Sequence, residues 1–178
     1  KHLPEKVIQK LLREMGTADS RLVVMKGDER GPSIAGFCWG QVITPDKIPE
    51  RVSKARDWSE EKTTSGMQKL LNIISTKPLL FLDELAVHPS YRKGPGPIQF
   101  LTRPLFELGW EKGVRQAIFW TQEGSSIKAL ATYMGFYQIC RIDKLDFMLN
   151  PDFKALLKVL QNLEPERIST IMRFTSRL

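Results

Sequence analysis

With 178 residues the chain is long enough for one domain with a real core, and 42% hydrophobic against 26% charged residues is the balance of a soluble globular protein. A net charge of +7 suits a highly anionic ligand, but the bases run from end to end instead of forming a tract with interleaved aromatics, so nucleic acid is not the expected partner. No apolar run reaches the length of a membrane span, the amphipathic start is not a secretory signal, and two cysteines and two histidines without ligand spacing give no metal signature; the chain reads as cytoplasmic, with reduced core thiols.

The first expected element is a helix over Leu3 to Met15, with Val7, Ile8, Leu11, Leu12 and Met15 on one stripe and Gly16 as its stop. Arg21 to Lys26 and Ile34 to Thr44 are β-rich runs on either side of the turn-forming GDERGP, and they predict an antiparallel pair. Trp39, inside the second run, is read as a core aromatic. The segment 45–77 is longer than a hairpin connection needs and carries helical pieces, the clearest over Gly66 to Ser75 with Met67, Leu70, Leu71 and Ile74.

Leu79 to Val87 is an apolar strand broken only by Asp83 and Glu84. Pro89, Gly94, Pro95, Gly96 and Pro97 then make a rigid turn, and Ile98, Leu101, Leu105 and Leu108 recur at helical spacing up to Gly113. A strand feeding a glycine turn and a helix aims free N–H groups and the positive end of the helix dipole at the turn, a place suited to phosphate, with Arg92 and Lys93 adding charge. A plain strand-to-helix connection is the competing reading. Pro95 and Pro97 carry no N–H, although proline is well tolerated at the first helical position.

Val114 to Thr121 is another apolar strand, so strand, helix and strand predict a crossover with parallel neighbours. Ser125 and Ser126 read as caps of a short helix to Met134 that ends in Gly135-Phe136. Phe136 to Asp143 and Lys144 to Leu149 predict two final, antiparallel strands. Pro151 opens a helix with Phe153, Leu156, Leu157, Leu160 and Leu163 on its apolar side, and Glu164-Pro165 a second with Ile168, Ile171 and Met172. The expected architecture is α/β of the α+β kind, with a mixed, mostly antiparallel sheet and a central parallel strand pair. Residues 1–150 form one domain, and 151–178 a helical extension that covers it or supplies a homodimer contact.

Three features, the strand ELAVHP from Glu84 to Pro89, Tyr91-Arg92 before a glycine turn and long helix, and Met134-Gly135-Phe136 after a short helix, resemble the GNAT acetyltransferase superfamily. The resemblance covers about residues 20–150. It implies acetyl-CoA as cofactor, with Leu85, Ala86 and Val87 offering backbone groups to the pantetheine arm and Arg92, Lys93, Gly94, Gly96 and Ile98 surrounding the pyrophosphate. It implies acyl transfer to an amine, a small molecule or a peptide, by direct attack, with the segment 45–77 beside the acceptor; Trp58 and its charged neighbours are then candidates for acceptor selection, and a structural insertion with a solvated charged face is the competing reading.

Glu84 is the chosen base for a protonated amine, directly or through a water. His88 ranks below it because it starts the turn. Strand alternation puts Asp83 and Glu84 on opposite faces, and a salt-bridged structural carboxylate is the competing role for Glu84. A backbone N–H near Val87 is expected to polarise the thioester carbonyl. The position where the family commonly carries a thiolate-protonating tyrosine is Ala131. Tyr133, the candidate acid, lies two residues on and about 200° around the helix, so packing at the helix end competes with the acid role. The rival functions are a non-catalytic acyl-CoA-binding or sensory domain on the same scaffold and a nucleic-acid-binding module driven by the basic balance.

Overall fold

Alternating and continuous apolar runs set up seven strands of one sheet. A computed structural model, which describes residues 17–27, 33–56, 60–92, 96–125, 127–161 and 171–174, places them as β1 (Ser20–Lys26), β2 (Ile34–Ile43), β3 (Leu79–Val87), β4 (Ala117–Gln122), β5 (Tyr137–Ile142), β6 (Leu145–Asn150) and β7 (Ile171–Phe174). Their spatial order is β5-β6-β4-β3-β2-β1-β7. Every neighbouring pair is antiparallel except β3 and β4, which are parallel. The sheet is therefore the mixed, mostly antiparallel one expected, with its parallel pair at the centre.

Helices cover both faces. On one side lie α1 (Ile48–Arg56), entered through the 3-10 turn Pro45–Lys47, and α2 (Glu60–Leu71). Ile48, Val52, Met67 and Leu70 from these helices bury against Leu79, Phe81, Ile118 and Phe147 of the sheet. On the other side α3 (Gly96–Glu111), α4 (Ile127–Tyr133) and α5 (Lys154–Gln161), with Phe153 just before it, pack Leu101, Leu105, Phe106, Ala131, Phe153 and Leu157 against Val23, Cys38, Leu80 and Met148. Full burial of a leucine- or phenylalanine-sized side chain stabilises by about 1.5–3 kcal/mol, so the strands hydrophobic on both faces anchor the two layers. Trp39 is buried, as expected for a core aromatic.

Two expectations are corrected. Gly66 does not begin a helix but sits inside α2, which runs from Glu60 to Leu71. A Cβ at Gly66 would clash with Ile142 Cγ2, so close approach of α2 to β5, not chain termination, accounts for this glycine. Ile171 and Met172 are not helical. They belong to β7, which pairs with the edge of β1 from Leu22↔Phe174 to Met25↔Ile171, and a sheet ladder outweighs the helical spacing of so short a segment. The Leu3 to Met15 helix, Trp58, Lys93, Gly94, Pro95, Ser126 and Ile168 lie outside the described residues.

Candidate functional site

The parallel ladder between β3 and β4 is short. It holds at Leu80↔Ala117, Phe81↔Ile118 and Leu82↔Phe119, and past these pairs the strands separate. A cleft of about 940 Å³ opens there, walled by the outer end of β3, Trp120 to Gln122, the start of α3 and the inner face of α4.

A bulge on β3 accompanies the separation. Trp39 pairs with Glu84 and Gly40 with Leu82, so Asp83 is a surplus residue that the β2 register skips, and such an insertion bends and twists its strand. Gly40 permits the close contact here, because an added Cβ would lie 2.9 Å from the Phe81 carbonyl oxygen. The bulge also resets side-chain alternation. Leu82 and Leu85 both pack on the α3 side. Asp83 accepts a hydrogen bond from Gln41 Nε2 at 3.3 Å, and Gln41 stands opposite Phe81 on the α1 side. Glu84 stands opposite Trp39, whose ring centroid is 5.8 Å from the Arg51 guanidinium of α1. The two carboxylates thus share the α1 side and both line the cleft, which corrects the opposite-face expectation.

At the end of β3 the His88 N–H donates to the Ala35 carbonyl at 2.7 Å. Alternation along the antiparallel ladder then turns the main-chain groups of Leu85 and Val87 toward the cleft and those of Ala86 toward β2. His88 Nδ1 accepts the Ser90 N–H and so caps the 3-10 turn Pro89–Tyr91. This local cap explains how His88 starts the turn. Arg92 Nε donates to the Val87 carbonyl at 2.7 Å, folding its guanidinium back along the cleft.

α3 begins at Gly96, with Pro97 and Ile98 on the cleft wall. The first-turn amides of Gly96, Ile98 and Gln99 have no intrahelical acceptor, and they carry the positive end of the helix dipole. Cys38 lines the cleft as a fully buried thiol whose pKa is pushed far above the ordinary range by desolvation. It is no thiolate nucleophile. Ser125 caps α4 by accepting the Ile127 N–H at 3.4 Å, and Gly135, at φ +84°, ends that helix. Ala131 is buried on the cleft wall, whereas Tyr133 is 77% exposed at its rim. Glu84 and Tyr133 therefore border one opening.

Sequence reasoning missed the clamp on α4. Asp146, in β6, is inaccessible and accepts Arg141 Nε at 2.6 Å, Lys128 Nζ at 2.7 Å and Gln138 Nε2 at 2.9 Å. The Arg141 hydrogen bond holds its carboxyl below the usual carboxylate range, against the opposing effect of burial. Lys128 thereby ties α4 to the β5–β6 hairpin, and Arg141 pairs also with Glu123. The available signal was a lone carboxylate in the apolar run LDFML, five residues after an arginine. Among the described residues, no group of three His, Cys, Asp or Glu could hold a metal ion, and no helix is long and apolar enough to cross a membrane.

No family model and no curated protein matches the sequence. Solved structures do. Arylalkylamine N-acetyltransferase 2 from Aedes aegypti is similar over 84% of this chain and 80% of its own, at 14% identity and a TM-score of 0.54. A chain of the NatC complex bound to Gag peptide and CoA is similar over 85% of this chain and 81% of its own, at 12% identity and a TM-score of 0.52. The fold is that of the GNAT N-acetyltransferases.

Proposed function

We propose that this chain is an acetyl-CoA-dependent N-acetyltransferase acting on a small-molecule or peptide amine. The observation that carries the reading is the pairing of one cleft with two complementary walls: cleft-facing main-chain groups of Leu85 and Val87 on one side, and the dipole-bearing start of α3 with Arg92 on the other. An apolar lining with few polar groups fits a pantetheine arm. First-turn amides and a guanidinium fit a diphosphate despite the missing N–H of Pro97. In this reading Leu85, Ala86 and Val87 border the arm, and Arg92, Lys93, Gly94, Gly96 and Ile98 surround the phosphates.

Acetyl-CoA supplies an activated thioester when bound. The protein supplies position and proton handling. Glu84, exposed in the cleft on the α1 side, takes the proton of the arriving ammonium, directly or through a water. The Val87 N–H faces the place where negative charge develops on a carbonyl oxygen. Tyr133, at the rim, is the donor for the departing sulfur. One observation favours a second reading, a non-catalytic acyl-CoA-binding or sensory domain: the buried cleft position 131 is an alanine and offers no proton.

The experiment is a thermal-shift titration with coenzyme A on the wild type and on Gly96→Asp. A Cβ at Gly96 meets nothing within 4 Å, so the fold tolerates the change while a carboxylate enters the phosphate site. The wild type is expected to gain melting temperature with coenzyme and the variant to gain none. Equal gains in both would remove the assigned site. Release of free thiol from acetyl-CoA with amines, polyamines or peptides then separates the transferase from the binding domain.

A further inference from the structure

We propose that Gln41 is a positioning residue of this cleft, a buried amide that clamps Asp83 so that Glu84 is the carboxylate presented to the acceptor. The proposal rests on the acyl-transfer reading. Gln41 lies in β2, is 6% exposed, and has its amide engaged at both ends. Its Nε2 donates to Asp83 Oδ2 at 3.3 Å, and its Oε1 accepts from the Arg51 guanidinium at 3.0 Å. Only one orientation of the amide satisfies both neighbours, since the flipped one would set NH2 against a guanidinium and an oxygen against a carboxylate.

The need for a clamp follows from the bulge. It puts two carboxylates that follow one another in sequence on the same side of β3, where like charges compete for one space and disfavour joint ionisation. Gln41 draws Asp83 toward the α1 side through the hydrogen bond from its Nε2. Arg51, which fixes the amide, also lies over Trp39, the residue opposite Glu84. Helix α1 thus reaches Asp83 through Gln41 and the register position opposite Glu84 through Trp39. Among the described residues, Arg51 of α1 reaches Gln41, and Arg92 from the turn, Tyr133 at the end of α4 and Cys38 from β2 line the cleft together with the pair.

The test is a carbon-13 carboxyl NMR titration of Asp83 and Glu84 in wild type, Gln41→Leu and Arg51→Met, alongside the coenzyme A thermal shift. Gln41→Leu keeps the volume and removes the amide; Arg51→Met leaves the amide but frees its orientation, and serves if the buried change prevents folding. The expected result is a change in the titration curves of the two carboxylates in either variant, with the coenzyme-induced shift in melting temperature as in wild type. Wild-type midpoints for both carboxylates in a folded variant would overturn the clamp. A wild type indifferent to coenzyme A would instead overturn the acyl-transfer reading, while the titration still reports whether Gln41 controls the pair.

Discussion

Replacing Asp146 with asparagine keeps the side-chain shape and removes one charge from a site that four hydrogen bonds converge on, three of them from Arg141 and Lys128. Breaking a fully buried ion pair costs about 3–5 kcal/mol. Here Lys128 and Arg141 are 32% and 40% exposed and can turn to water, so the cost is discounted toward the surface-pair range to about 2 kcal/mol. For a chain of this size that corresponds to a fall in melting temperature of about 4–8 °C. The assay is thermal and urea unfolding followed by circular dichroism.

The same variant has a pH signature. The folded-state carboxyl is depressed, so its stabilisation is fully present above the unfolded-state pKa of about 3.9 and is lost as pH falls through the folded-state value. The gap between wild type and Asp146→Asn is expected to be constant from pH 7 to 5 and to close in acid below about pH 4. A variant within about 0.5 kcal/mol of wild type at pH 7, the range of ordinary surface substitutions, or a gap that widens in acid, would refute the reasoning.

Gly66→Ala should destabilise by about 1 kcal/mol net, since overpacking against Ile142 outweighs the helix-propensity gain of alanine; a higher melting temperature would contradict the α2–β5 contact. Cys38 should react with Ellman's reagent only as fast as the protein opens, well after the partly exposed Cys140, and a fast second thiol at pH 8 would show the burial to be wrong. Glu84→Gln should lower kcat by about 10²–10⁴-fold on whichever amine releases thiol, without changing the coenzyme thermal shift, and unchanged kcat would remove Glu84 as the base. Tyr133→Phe should slow the same turnover while leaving stability intact; full activity would leave this tyrosine a rim residue.

The central frame was legible because its signals are local. The apolar run to Val87, the proline-glycine turn and the leucine period to Leu108 each specify one element, and their order forces β3 and β4 to be parallel. The bulge was not legible, because period-two alternation assumes an unbroken ladder and nothing in LDEL marks Asp83 as surplus. Arg51 and Gln41 were missed for a related reason: their importance lies in contacts across helix and sheet, ten residues apart in sequence with no periodic signature. Met172 carried a helical spacing that edge pairing with β1 overrode.

One surplus residue in a central strand shapes the opening at the heart of this molecule. An entrance made by main-chain geometry asks little of the letters around it, so very different sequences can build the same one. The two solved structures that share this fold do so at 12–14% identity, so the frame stands with few letters in common.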